Sequence, residues 1–183
     1  MRRTLMLLSA MMMMVVLAAG VAVAATVTCT TDPCVGTKGS DEIDGTENPE
    51  TISALAGDDF VAGHGGDDTI YLDRGSDSAD GYGGNDTIYG GGGNDSALEG
   101  AEDSDTVYGG KGNDYIDAAI YDTPGSVDYS YGDSGNDTID AVDGNVDIID
   151  CGAGRNDTVN YDEGIDTVTN CEVLNPPPTI PSV

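Results

Sequence analysis

The sequence predicts an all-β fold in which short strands and tight turns stack into a solenoid. An acidic residue recurs about every nine residues from Asp41 to Asp166, and an apolar side chain follows two positions after each acid. Glycine is abundant, with 27 residues in 183, and interrupts any helical periodicity. A nine-residue period that carries both an acid and a core residue indicates stacked turns that bind metal ions.

The apolar members of the period predict the solenoid core, because side chains two apart in a strand share one face. They are Ile43, Ile52, Val61, Ile70, Ala79, Ile88, Ala97, Val107, Ile116, Ile139, Ile149, Val159 and Val168. The spacing is nearly continuous up to residue 117, where Glu99 is the one extra residue. It breaks over residues 118–131.

The acids of the period are the candidate metal ligands. They are Asp41, Asp59, Asp68, Asp77, Asp86, Asp95, Asp105, Asp114, Asp137, Asp147, Asp157 and Asp166. Glu50 stands in the same series with a longer side chain, so sites that use it are expected to be weak. Calcium takes six to eight oxygen ligands from carboxylates and carbonyls, which suits aspartates on glycine-rich turns. Glycines at the first, third and fourth places of each turn are expected to permit positive φ.

The clearest copies include residues 81–89, Gly-Tyr-Gly-Gly-Asn-Asp-Thr-Ile-Tyr, and residues 109–117, Gly-Gly-Lys-Gly-Asn-Asp-Tyr-Ile-Asp. They resemble the haemolysin-type RTX calcium-binding repeat, Gly-Gly-x-Gly-x-Asp-x-U-x, in which U is a large aliphatic residue. The resemblance extends over residues 36–170. It implies a right-handed parallel β-roll with two repeats per coil, and calcium ions between turns that lie eighteen residues apart.

This resemblance divides the acids between two edges of the roll, one starting at Asp41 and the other at Glu50. The firmest sites are then expected where the turns keep most of their glycines. These sites lie between Asp68 and Asp86, Asp86 and Asp105, Asp77 and Asp95, and Asp95 and Asp114.

The chain divides into six segments. Residues 1–25 are predicted to be a signal peptide, because Arg2 and Arg3 precede an apolar run that ends in Ala22-Val23-Ala24. A retained membrane anchor is the alternative, since the run reaches spanning length. Residues 26–35 are a short lead-in, 36–117 a first block of repeats, 118–131 an insertion loop, 132–172 a second block with a cap, and 173–183 a proline-rich tail. The insertion is interpreted as either a binding loop or a disordered tether.

Four cysteines in a chain with a predicted signal peptide favour disulfides. The two ends of the repeat array should lie about 30 Å apart, whereas bonded cysteines have Cα atoms about 4.4–6.8 Å apart. The expected pairs are therefore Cys29–Cys34 and Cys151–Cys171, one at each end of the roll. A zinc site is the alternative, but one histidine and no Cys-x-x-Cys disfavour it.

The formal net charge of −28 excludes nucleic acid as a partner and disfavours anionic membranes. The sequence contains no His-Glu-x-x-His and no Gly-x-Ser-x-Gly, so no catalytic role is expected. The leading hypothesis is a secreted calcium-binding protein with a structural, adhesive or calcium-sequestering role at the cell surface. A non-catalytic module for a glycan, ice or a protein is the alternative, and a polysaccharide-modifying enzyme ranks third. Tyr71, Tyr89 and Tyr108 recur at spacings that suit either a stacked ladder or a sugar-binding strip.

Overall fold

The computed structural model describes residues 24–176, and these residues form seventeen short strands and no helix. The odd-numbered strands form sheet A: β1 (Thr26–Thr28), β3 (Glu42–Thr46), β5 (Phe60–His64), β7 (Ser78–Asp80), β9 (Ala97–Glu99), β11 (Tyr115–Asp117), β13 (Thr138–Ala141), β15 (Thr158–Tyr161) and β17 (Val173–Asn175). The even-numbered strands form sheet B: β2 (Cys34–Val35), β4 (Thr51–Ser53), β6 (Thr69–Tyr71), β8 (Thr87–Gly92), β10 (Thr106–Lys111), β12 (Tyr129–Ser134), β14 (Ile148–Asp150) and β16 (Thr167–Thr169).

Every strand pairs in parallel with the strand two places along the chain, so one coil contains one strand of each sheet. The register follows the repeat, since Thr69, Ile70 and Tyr71 pair with Thr87, Ile88 and Tyr89. A nonapeptide therefore supplies one strand and one turn. This arrangement confirms the prediction of an all-β parallel solenoid with two repeats per coil.

The core lies between the two sheets and is built by the predicted apolar residues. Eleven of the thirteen are buried, and Val168 is half-buried against the same cluster. Position 97 is the exception, because the buried residue there is Leu98 and the prediction of Ala97 was wrong. Leu98 pairs with Ala79 on one side and Ile116 on the other.

The extra residue that shifts this register lies before Leu98, not at Glu99 as the spacing suggested. Ser96 donates its N–H to the Asp77 carbonyl at 2.9 Å, as the equivalent residues of other coils do. Ala97 then occupies the position opposite Ser78. Two residues thus face one, as in a β-bulge, and Leu98 rather than Ala97 turns inward.

Residues 118–131 depart from the repeats less than the sequence indicated. The chain enters β12 at Tyr129, and this strand pairs with β10 and β14 in continuous register. Ser130 is buried at the place that an aliphatic residue holds in other coils. Because the core residue there is polar, the apolar pattern did not reveal this coil.

The segments outside the predicted repeat blocks also contribute strands. In the lead-in, β1 and β2 pair with β3 and β4 and so begin the two sheets. At the other end β17 pairs with β15. Residues 173–175, which the sequence analysis placed in the tail, are therefore part of sheet A. Residues 1–23 of the predicted signal peptide and residues 177–183 of the predicted tail lie outside the described part. Within residues 24–176, no helix is long and apolar enough to cross a membrane.

Both predicted disulfides are confirmed. Cys29 and Cys34 have Cα atoms 5.3 Å apart and close the first coil, where β1 and β2 begin the two sheets. Cys151 and Cys171 have Cα atoms 5.1 Å apart and join the end of β14 to the segment between β16 and β17. The described residues contain no free cysteine.

Candidate metal centre

The acids of the period form two continuous rows along the roll, one at the start of each sheet. Ladder A, at the entry to sheet A, consists of Asp41, Asp59, Asp77, Asp95, Asp114, Asp137 and Asp157. Ladder B, at the entry to sheet B, consists of Glu50, Asp68, Asp86, Asp105, Asp128, Asp147 and Asp166. The structure thus brings all twelve predicted aspartates into the two rows, and adds Asp128, which the sequence analysis missed.

One carboxylate oxygen of each ladder aspartate is used to join the coils. The backbone N–H of Asp59 donates to Asp77 Oδ1 at 2.7 Å, and that of Asp68 donates to Asp86 Oδ1 at 2.7 Å. The pattern continues across the long coil, residues 105–128, in which the ladder acids are 23 residues apart: Asp105 N–H donates to Asp128 Oδ1 at 2.8 Å. A ladder aspartate therefore accepts from the coil before it in the chain through a single oxygen.

The second carboxylate oxygen of most ladder aspartates is buried and has no hydrogen-bond partner. A buried acceptor without a partner costs about 1–3 kcal/mol, and more when it is charged. Ten aspartates share this arrangement: Asp59, Asp68, Asp77, Asp86, Asp95, Asp105, Asp114, Asp137, Asp147 and Asp157. A bound cation would satisfy all of these oxygens, so the residues present fit the calcium ligands that the repeat implies.

The ends of the ladders differ, because their acids are satisfied by the protein. The backbone N–H of Thr37 donates to Asp41 Oδ2 at 2.5 Å, and that of Asp162 donates to Asp166 Oδ2 at 2.6 Å. Ladder A is closed by Glu172, whose Oε2 accepts from Asp157 N–H at 3.0 Å. The oxygens that lack partners therefore run from Asp59 to Asp157 on ladder A and from Asp68 to Asp147 on ladder B.

The electrostatics of the ladders make the charged state costly without a cation. Burial raises the pKa of Asp105 to about 8 and that of Asp86 to about 7, and neighbouring ladder carboxylates add to both shifts. Within residues 24–176, the one ion pair closer than 4.0 Å joins His64 Nε2 to Asp44 at 3.8 Å. Among the described residues, no basic side chain therefore pairs with a ladder carboxylate as its counter-ion.

The glycines serve the turns in two ways, and the expected positive φ is confirmed at the fourth place but was wrong for the first and third. Positive φ occurs at the second and fourth places, as at Tyr82 (φ 69°) and Gly84 (φ 120°). The first-place Gly81 is required by space, because a Cβ there would overlap Asp86 Oδ2 and lie 2.7 Å from the Gly100 carbonyl. First-place glycine therefore keeps the turn backbone beside the free carboxylate oxygen.

The fifth place of the turn carries a second row of side-chain to backbone bonds. The N–H of Asn113 donates to Asn94 Oδ1, and the N–H of Asn136 donates to Asn113 Oδ1, both at 2.8 Å. These bonds explain why asparagine so often precedes the ladder aspartate. They belong to the scaffold that holds neighbouring turns in register.

A further acid lies beside ladder B, outside the repeat pattern. Asp122 comes from the long coil, and one of its oxygens lies within 4.8 Å of an oxygen of Asp128 and of Asp147. The sequence analysis did not assign either Asp122 or Asp128 as a ligand. A signal was available in the spacing, since Asp128 precedes Asp137 by nine residues.

The outer face of sheet B carries four stacked tyrosines. Tyr71, Tyr89, Tyr108 and Tyr131 have ring centroids 4.9, 5.0 and 4.8 Å apart along the row, with interplanar angles of 10° or less. The ring faces are thus occupied by one another. This geometry is the stacked ladder rather than a strip with free faces for sugars, and Tyr131 extends the three predicted members.

Two parallel sheets of short strands, with an aspartate ladder at each row of turns, define a β-roll built to bind cations. A family model described as the RTX calcium-binding nonapeptide repeat, in four copies, matches residues 44–79, 73–97 and 98–119. The matched residues are thus similar to the RTX repeat family, which confirms the resemblance seen in the sequence. Neither a curated protein nor a solved structure matches the chain.

Proposed function

We propose that this protein is a secreted calcium-binding β-roll that completes its folding when it meets external calcium. The observation that carries the proposal is the set of ten buried carboxylate oxygens without partners along the two ladders. A chain with a net charge of −28 and one weak ion pair among residues 24–176 needs a counter-ion to bury them. Calcium supplies two positive charges and is readily coordinated by carboxylate oxygens.

The sites would lie between successive coils on the same ladder. The carboxylates of Asp68, Asp86 and Asp105 supply neighbouring free oxygens on ladder B, and Asp77 and Asp95 do so on ladder A. Of these five aspartates, Asp68, Asp86 and Asp95 follow turns with three or four glycines. Asp41 and Asp166 are weaker candidates, because backbone N–H groups already hold both of their oxygens.

The test is a calcium titration of the mature protein followed by far-ultraviolet circular dichroism. Calcium is expected to raise the β signal, and excess chelator is expected to abolish it, because folding and metal binding share one free energy. Magnesium at the same concentration is the control, since its small octahedral shell suits the ladder poorly. A β signal that excess chelator leaves unchanged would contradict the proposal.

Secretion is the second part of the proposal. It rests on the signal-like residues 1–25 and on two disulfides, which persist in oxidising compartments. Mass spectrometry of protein recovered from the culture medium should give a chain that lacks these residues. Recovery of the full-length chain with the membrane fraction would support the retained anchor instead.

We infer a structural, adhesive or calcium-sequestering role rather than a catalytic one. The alternative, a non-catalytic module for a glycan, ice or protein partner, is supported by sheet B, where rows of threonine and tyrosine lie in register. Thr69, Thr87 and Thr106 pair along one row, beside the stacked tyrosines. Because those rings cover one another's faces, the row offers ring edges to a partner. Turnover of uronate polymers by the pure protein would instead support the enzyme hypothesis.

A further inference from the structure

The long coil of the roll differs from the others in its turns. Both turns that flank the candidate site lack glycine at the first and fourth places, where Thr123 and Ser126 stand in one and Val142 and Asn145 in the other. The close approach that Gly81 permits beside Asp86 is therefore missing here. Because the firmest sites are expected where the turns keep most of their glycines, this position should be among the weakest calcium sites on ladder B.

The extra residues of the long coil bring an additional carboxylate to this position. Asp122, Asp128 and Asp147 each place one carboxylate oxygen within 4.8 Å of the other two. Oxygens that share a calcium ion at about 2.3–2.6 Å lie no more than about 5 Å apart, so the three can share one ion.

The cluster also lacks a basic side chain that would explain why three carboxylates are grouped. Asp147 is fully buried, and its Oδ1 accepts from Asp128 N–H at 3.1 Å while its Oδ2 has no partner. Among residues 24–176 no lysine or arginine lies within 4.0 Å of a carboxylate oxygen. A buried free oxygen beside two other carboxylates is the signature of an ion-binding position.

Neighbouring polar groups hold Asp122 in place. Asn145 Nδ2 donates to Asp122 Oδ2 at 3.0 Å and to Asp143 Oδ2 at 2.6 Å, while Ser126 Oγ donates to Asp122 Oδ1 at 2.5 Å. A cleft of about 600 Å³, lined in part by Asp122, Asp143 and Asn145, opens beside these groups. The cluster can therefore be reached by an ion and its water ligands.

We propose that the long coil completes a calcium site of its own, in which Asp122 joins Asp128 and Asp147 as a third carboxylate ligand. The insertion compensates for the two irregular turns by supplying negative charge that the repeat does not provide. The site takes a hard, oxygen-preferring cation, because no histidine or cysteine belongs to the cluster. It rests on the proposed function, since two of its ligands are members of ladder B.

The test counts calcium ions bound to the mature protein by native mass spectrometry and equilibrium dialysis. Asp122→Asn keeps an oxygen for Ser126 but loses the charge, and it is expected to bind one calcium ion fewer than the wild type. Asp58→Asn is the matched control, because Asp58 lies outside both ladders and its Oδ1 only accepts from Ser76 N–H at 2.9 Å. The control should bind the wild-type number.

The outcomes separate this inference from the proposed function. A wild type that binds no calcium would overturn both. An Asp122→Asn variant that binds the wild-type number with unchanged affinity would overturn the long-coil site alone.

A second measurement leaves every ligand intact and covers the case in which Asp122→Asn does not fold. Tyr121 is 76 % exposed and lines the same cleft, so it should sensitise the emission of a terbium ion bound there. Tyr121→Phe is expected to lower tyrosine-sensitised terbium emission. Emission equal to that of the wild type would contradict the site.

Discussion

Each ladder aspartate uses its two oxygens for different purposes. In Asp86, Oδ1 accepts the N–H of Asp68 in the preceding coil, and Oδ2 is buried without a partner. The first oxygen joins coils whether or not an ion is present, whereas the second favours the fold only when a cation binds. The first-place glycine beside Oδ2 is therefore as much a part of the site as the carboxylate.

Gly81→Ala tests this role of the first-place glycine. The added Cβ would overlap Asp86 Oδ2 and press on the Gly100 carbonyl, so we expect a loss of about 1–3 kcal/mol in stability and weaker calcium binding. Gly83→Ala is the matched control in the same turn, because its Cβ would meet nothing closer than 3.7 Å. Chemical denaturation in calcium measures both variants. Equal stabilities for the two would show that the space beside Asp86 does not matter.

At the scale of strands and turns, the period predicted most of the fold because each nonapeptide encodes its own strand, turn and ladder acid. The prediction failed where a local change departed from the nine-residue pattern while the strand pairing and the ladder were retained. Leu98 replaced Ala97 in the core because the chain bulges opposite Ser78, which a nine-residue count cannot register. Asp128 was hidden because Ser130, not an aliphatic residue, follows it. Asp122 could not be found at all, since only the path of the long coil brings it to ladder B.

The two disulfides close the first and last coils, and the second should contribute more to stability. Cys151 and Cys171 enclose 20 residues, whereas Cys29 and Cys34 enclose 5. Loop-closure entropy gives about 3 kcal/mol for the longer loop and about 2 kcal/mol for the shorter one.

The prediction compares double alanine variants of the two cysteine pairs in saturating calcium. The Cys151/Cys171 variant is expected to unfold at the lower urea concentration, because it loses the longer closed loop. A greater loss on removal of Cys29 and Cys34 would show that the roll depends more on its first coil.

At the scale of the whole molecule, the charge of the ladders links folding to both protons and calcium. Burial raises the pKa of Asp105 and Asp128 to about 8, and that of Asp77 and Asp137 to about 7, from an ordinary value of 3.8. Folded pKa values above the unfolded ones mean that the folded state binds protons more tightly. The resulting stabilisation is complete below about pH 4 and is lost as the pH rises through about 7 to 8.

Without calcium, the roll is therefore expected to be more stable at pH 5 than at pH 8. Protons and calcium compete for the same oxygens, so apparent calcium affinity should change in the opposite direction and weaken on acidification. Thermal unfolding of resin-stripped protein at the two pH values, with and without added calcium, measures both effects. Higher calcium-free stability at pH 8 would contradict the expectation.

The regular spacing of the ladders also makes each one a line of charge. Coils about 4.8 Å apart place one carboxylate at every step, against about 1.7 Å per charge along double-stranded DNA. Such a line gathers mobile cations from solution, and calcium must displace them to reach the oxygens. Two such lines run along one molecule. The amount of calcium that the roll binds should therefore fall as the ionic strength rises, in the same way that salt lowers the affinity of proteins for DNA.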